Sequence, residues 1–278
     1  MSDFLKKYSR HRLAMAGLIF LFLEVLLALT IPIFLPLDPI AISRSFNAPP
    51  DAEHILGTDG VGRDVLARVI YGGRLSLFIG VASVAITVSI GLPLGLIAGY
   101  YRGPAESVIM RAAETFLSIP LMVFVLVVVA IVKATAWNVA LIIGGLGWPA
   151  VAKLIYASVL AESAKEYVEA ARVLGRPNHV VAWLEVLPNA ISPLWAQIAF
   201  RISQAIMIEA SLSFLGAGIQ PPAASWGNIM YAAQDLAVLT NRLWIWLPPG
   251  ICLVLTVMSI NLVGEGIRDV LDPKMNNN

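Results

Sequence analysis

Long runs without charge dominate the chain, separated by short charged stretches. No Asp, Glu, Lys or Arg occurs between Arg74 and Arg102, between Glu114 and Lys133, between Lys133 and Lys153, or between Arg242 and Glu265. A fifth apolar run, from Leu13 to about Leu37, is interrupted only by Glu24. A sixth, from about Ala190 to Gly218, carries Arg201 and Glu209. A membrane helix needs roughly 20 apolar residues, with about 17–25 as the normal range. The pattern therefore predicts six spans, over approximately 13–35, 75–99, 114–133, 137–157, 190–216 and 243–264. The predicted fold is all-α and polytopic, embedded in a lipid bilayer.

Composition agrees. Hydrophobic residues make up 58% of the 278 and charged residues 13%, against roughly 45–50% and about 25% in soluble domains. A soluble fold of this size would expose the surplus as aggregating patches, and disorder needs the opposite composition. The net charge of +1 gives no bulk field for nucleic acid. The single Cys252 excludes an internal disulfide or a cysteine metal cluster, and reads as a small core or lipid-facing hydrophobe. The first apolar run far exceeds the h-region of a cleavable signal peptide and lacks a clear small-residue cleavage site.

Orientation follows from Lys and Arg in short loops. Lys6, Lys7, Arg10 and Arg12 precede the first span, placing both termini and the segments near 100–113 and 153–189 in the cytoplasm. Arg44, Arg63, Arg68, Arg74, Lys133 and Arg242 fall on the other side, so the bias is moderate and the reverse topology is the alternative. The outer loops 36–74 and 217–242 are long enough to carry function or pack on a partner. Val65 to Tyr71 is expected to form a short interfacial helix.

Catalytic motifs are missing. There is no Gly-Lys phosphate loop, no G-x-S-x-G elbow and no H-E-x-x-H pair. His11, His54 and His179 lack metal-ligand spacing and read as surface residues. The informative segment runs from Glu162 to Pro188. Tyr167 to Leu174 favours helix, Gly175 is a natural stop, Pro177 prevents continuation and Asn178 can cap a second short helix. Ala170 and Ala171 permit close approach, and Glu169 and Arg172 share a face. Two readings stand at this level: a solvated polar loop, or a rigid element that a soluble partner grips.

The spacing Glu169-Ala170-Ala171, then Gly175, then Leu187-Pro188 resembles the EAA loop of ABC importer permeases, with Glu185 as a departure where the family often has an apolar residue or histidine. Leu56–Val65, Tyr71–Leu77, Ser213–Gly218, Pro222 with Ser225–Gly227, and Asn261 through Leu271-Asp272-Pro273 are similar to the "C" permeases of dipeptide, oligopeptide and nickel importers. The resemblance implies a type I (MetI-like) permease fold in a bacterial or archaeal plasma membrane, with residues 75–278 as the core, 160–189 as its coupling loop, and 1–74 as an N-terminal tail, first span and outer loop. It implies that Glu169, Ala170, Ala171, Arg172, Gly175 and Pro188 form the ATPase-coupling element. The implied partners are a second homologous permease, two cytoplasmic ATPases that bind ATP and Mg, and an external solute-binding protein. No cofactor, metal or enzyme activity is implied for this chain. Di- or oligopeptides are the favoured cargo, with nickel or its chelates, opines and glutathione as alternatives. A stand-alone channel or carrier explains the spans but not the loop; an intramembrane enzyme lacks its residues.

Within the spans, Gln197, Arg201, Gln204 and Ser211 fall within about 40° of one direction on a helix. Lipid cannot satisfy such a stripe, so it lines the translocation pathway or bonds neighbouring helices. Glu209 points elsewhere, Arg111 and Glu114 are spaced to pair, and Glu24 has no partner legible in sequence.

Overall fold

The computed structural model describes residues 8–271 apart from 10 and 36. Lys6, Lys7, Arg10 and the Asp272-Pro273 end of the last motif lie outside the described residues. The long helices are α1 (Arg12–Phe34), α2 (Val65–Tyr101), α3 (Gly103–Leu117), α4 (Leu121–Ile131) and α5 (Ala136–Ser163). A short α6 (Glu166–Val173) follows, then α7 (Asn178–Val180), a π-helical segment Val181–Val186 and α8 (Leu187–Ala190). These lead into α9 (Ser192–Phe214), α10 (Trp226–Met230), α11 (Leu236–Asn241) and α12 (Leu243–Leu271).

Four helices, α1, α2, α5 and α12, are long and apolar enough to cross a membrane, and the pair α3–α4 counts as a fifth if it is one span. That pair is bent by 84°, so the span expected over 114–133 is broken in two and its first helix starts earlier, at Gly103. Pro120 lacks an N–H and pushes Ile119 away from helical geometry; α3 ends at Leu117 and α4 starts afresh at Leu121. The expected interfacial helix at Val65–Tyr71 is corrected too. It is the first part of α2, which runs 37 residues, about 55 Å at 1.5 Å per residue. Asp64 starts it by accepting from Ala67 N at 2.8 Å. Gly72 and Gly73 do not break the helix but form a notch for the Ser225 backbone and the Trp226 ring. The expected boundary between residues 74 and 75 thus falls inside α2.

Helix contact runs through small residues, as packing in lipid requires. A Cβ added at Gly91, Gly95 or Gly99 of α2 would lie 2.8, 2.6 or 2.9 Å from the carbonyl oxygens of Trp148, Ala152 and Tyr156 on α5. Ascending numbers meet ascending numbers, so α2 and α5 run parallel. Ser76 and Gly80 meet Glu209 and Ile206, making α9 antiparallel to α2. Ser203 meets Val257 and Ala199 meets Gly264, making α12 antiparallel to α9. Glu24 meets Thr256 and Gly17 meets Ser259, making α1 antiparallel to α12. Directions alternate along the chain when α3–α4 crosses once, which is compatible with six spans.

Candidate functional site

At the C-terminal end of α2, α6 lies on an apolar seat. Val168 (0% exposed) and Ala171 pack into a core cluster with Leu96, Tyr100, Ile155, Val159 and Val181. The i, i+3 spacing of Val168 and Ala171 puts both on one face of the helix, which leaves Glu166, Glu169 and Ala170 exposed. Ala171 therefore serves the seat, while Ala170 is exposed. Val173 and Leu174, 81% and 82% exposed, make an apolar tip at the end of α6.

The turn after α6 is built by Gly175, whose φ of 77° suits a residue without Cβ. Its N–H donates to the Arg172 carbonyl (3.0 Å) and Arg176 N–H donates to the Ala171 carbonyl (3.2 Å), the paired closure of a Schellman motif. The second helix differs from expectation. It is not short, because α7, the π-helical segment and α8 continue nearly into α9. Pro177, not Asn178, is its N-cap; Asn178 instead accepts from Tyr100 Oη at 3.3 Å. Pro188 stands at the start of α8, at the end of the π-helical segment, whose last bond runs from Leu187 N–H to the Ala182 carbonyl. The segment 178–190 thus leads nearly unbroken to α9, and the Gly175 turn joins it to α6.

Polar groups lock the loop in place. Arg172 is exposed and borders a surface depression together with Glu169, and it also reaches back to the bundle. Its Nε donates to Tyr100 Oη (3.3 Å) and its guanidinium lies 4.8 Å from the Tyr100 ring centroid, tying α6 to α2. Tyr167 Oη donates to Glu162 Oε1 (2.8 Å) and accepts from Asn189 Nδ2 (3.3 Å). Burial first, then the Glu162 carboxylate, pushes the Tyr167 phenol up to about 12. Lys165 Nζ pairs with Glu162 Oε2 (2.7 Å). The unusual Glu185 pairs with Arg176, and its carbonyl accepts from Asn189 Nδ2 (2.8 Å). Sequence reasoning missed this network. The i, i+3 spacing of Glu162 and Lys165 was a legible signal; the contacts of Tyr100, Tyr167 and Asn189 span folds of the chain and left none.

The intramembrane stripe divides. Arg201 Nη1 donates to Gln204 Oε1 (3.1 Å), and both border a narrow cleft with Ser83, Thr87 and Gly147. Ser211 borders a separate depression with Met207, Phe214 and Leu253, and Gln197 is half-buried nearer the α6 end. Glu209 is fully buried on the other face, where it accepts from Ser76 Oγ (3.0 Å) and Ser213 Oγ (2.8 Å). Glu24 receives a hydrogen bond from Thr256 Oγ1 (2.6 Å). Glu114 pairs with Lys153 (3.4 Å), not with Arg111. Two histidines are not free surface residues. His54 is half-buried against Asp64 (2.9 Å) and His11 meets Asp269 (3.1 Å); His179 is exposed. Cys252 is half-buried beside the α9–α12 core. Among the described residues, no group of three or more His, Cys, Asp or Glu is placed to hold a metal ion.

Residues 91–277 match the family described as binding-protein-dependent transport system inner membrane component. The chain belongs to this family of ABC importer permeases. Residues 1–50 of the permease also match the N-terminal TM domain of oligopeptide transport permease C. The permease is 37% identical to the di/tripeptide transport system permease protein DppC of Pseudomonas aeruginosa, over 100% of this chain and 93% of the relative. It is 34% identical to the dipeptide transport system permease protein DppC of Haemophilus influenzae, over 99% and 95%. Its fold resembles a chain of the inward-facing MetNI methionine ABC transporter, with a TM-score of 0.59 and 20% identity over 74% of this chain and 97% of the other. The family consists of non-catalytic, multi-pass membrane subunits.

Proposed function

We propose that this permease and a second, homologous one together form a translocation pathway for di- or oligopeptides, driven through α6 by two ATPase subunits that bind ATP and Mg. The observation that carries this reading is the two-sidedness of α6: Val168 and Ala171 seat it, while Glu166, Glu169, Ala170, Val173 and Leu174 face outward. A helix seated on one face and bare on the other transmits force from a docked motor to the bundle. Beyond the Gly175 turn, the helical segment 178–190 leads into α9 and carries the push to the helix that bears Arg201 and Gln204. Those two, with Gln197 and Ser211, are the proposed polar lining of the pathway. ATP-driven closure of the motor biases a two-state bundle; the permease itself performs no chemistry.

In the proposed topology the chain crosses six times, with α6 and both termini in the cytoplasm of a bacterium or archaeon. An external solute-binding protein delivers cargo to the opposite end. The peptide assignment rests on what the relatives' names say they carry. In the reconstituted importer, Glu169→Arg is expected to cut transport at least tenfold while the permease keeps its fold. Unchanged transport and unchanged ATPase association in that variant would refute the docking role.

A further inference from the structure

At the end of the bundle opposite α6, the loop before α2 closes a cavity of about 170 Å³ against α10, lined by Asp59, Arg63, Arg68 and Asn228. Arg68 is 2% exposed. Its Nη2 donates a long bond to Asn228 Oδ1 (3.4 Å), and its Nε lies 3.5 Å from Asp59 Oδ2. Neither Nε nor Nη1 has a hydrogen-bond partner. Asp59 is already engaged: Oδ1 accepts from Val61 N (2.9 Å) and Arg63 N (3.0 Å), and Oδ2 accepts from Arg63 Nε at 2.8 Å. One carboxylate is thus divided between two guanidiniums, and the site carries one positive charge in excess.

A buried guanidinium left short of acceptors is costly. Its planar fork is matched by a carboxylate through two parallel N–H···O bonds. A monoanion neutralises the surplus, whereas a phosphate dianion would overshoot it and a cation would add to it. We propose that this cavity is a binding pocket for a single carboxylate group, held by Arg68 and Arg63. Two sources can present that group at this end: an acidic side chain of a docked solute-binding protein, or the terminal carboxylate of a free peptide. The pocket rests on local geometry; only the binding-protein source rests on the importer reading above.

The permease complex in lipid nanodiscs provides the test. In one arm its thermal midpoint is followed against acetate and against a dipeptide, with chloride at equal ionic strength as reference. In the other, the affinity for its binding protein is titrated. The variants are Arg68→Gln and Val61→Glu. Val61 is 47% exposed and borders the cavity, so Glu there supplies a carboxylate from the chain itself and does not disturb the buried arginine. The wild type is expected to respond in at least one arm. Arg68→Gln is expected to weaken that response at least tenfold. Val61→Glu is expected to raise the midpoint without ligand and to abolish the response. A response only to acetate or dipeptide assigns a free carboxylate; a response only in capture assigns the binding protein. The acetate arm involves no binding protein and so tests the pocket even if the importer reading fails. Absence of any wild-type response, or responses that Val61→Glu leaves intact, would overturn the pocket.

Discussion

Val168→Ala tests the seat of α6 directly. The helix has only eight residues, far below the length at which an isolated helix is stable in water, so it stays formed because it is docked. Val168 is 0% exposed in the cluster with Leu96, Tyr100 and Val181. Truncation removes two buried carbons at about 0.8 kcal/mol each, and the cavity left behind adds to this, for a total of about 1.5–2.5 kcal/mol. At tenfold per roughly 1.4 kcal/mol, the unseated population rises about 10- to 60-fold. Hydrogen exchange read by mass spectrometry across the peptide containing α6 should accelerate by that factor. The middle of α12, which shares no contact with the seat, should keep its rate, because local opening is separable from global unfolding. Transport per ATP hydrolysed should fall in the same variant. Unchanged exchange in α6, or equal acceleration throughout the bundle, would show that Val168 does not hold the helix as argued.

Glu209→Ala strips the buried hydroxyls of Ser76 and Ser213 of their acceptor, at about 1–3 kcal/mol for each orphaned group. The detergent-unfolding midpoint should drop clearly, with Glu209→Gln falling less; an Ala variant as stable as wild type would contradict the bridge. The Tyr167 phenol, pushed up to about 12, stands above the ordinary tyrosine value of about 10. The raised value means that the Tyr167 hydroxyl's contribution to the loop is full below about pH 10 and is lost as pH climbs through about 12. A tyrosinate absorbance titration should therefore contain a component near pH 12 that Tyr167→Phe removes. A difference component near pH 10 would place Tyr167 outside the Glu162 network.

The spans were legible because a charge-free run of this length has few other homes. The runs around 75–99, 137–157 and 243–264 correspond to the interiors of α2, α5 and α12. Hydropathy is blind to direction, however. The run after Glu114 stays apolar through Pro120 while the chain turns by 84°, and the apolar content of residues 65–71 could not reveal that they belong to α2. The element Glu169–Gly175 was legible from local rules: helix formers ended by a glycine. The contact of Arg172 with Tyr100 was not legible, because Tyr100 lies on another helix. Nor were the partners of Glu24 and Glu209 legible, since Thr256 and Ser76 are distant in sequence. Spacing shows what shares a face, not what that face meets. The Gly91, Gly95, Gly99 series on α2 was present in the sequence all along, and the i, i+4 period marks a close helix contact.

The most direct test of the central claim is site-directed cross-linking of the apolar tip of α6. Val173→Cys and Leu174→Cys, each in a Cys252→Ala background, are to be labelled with a short thiol-reactive photo-cross-linker, which inserts on illumination into any neighbouring C–H bond, in membranes of cells expressing the whole importer. The account predicts a covalent adduct with the ATPase subunit, formed in either variant and changing in yield when nucleotide is added. Modification of these cysteines by an impermeant reagent from outside the cell, or an adduct with no ATPase under any nucleotide condition, would contradict it.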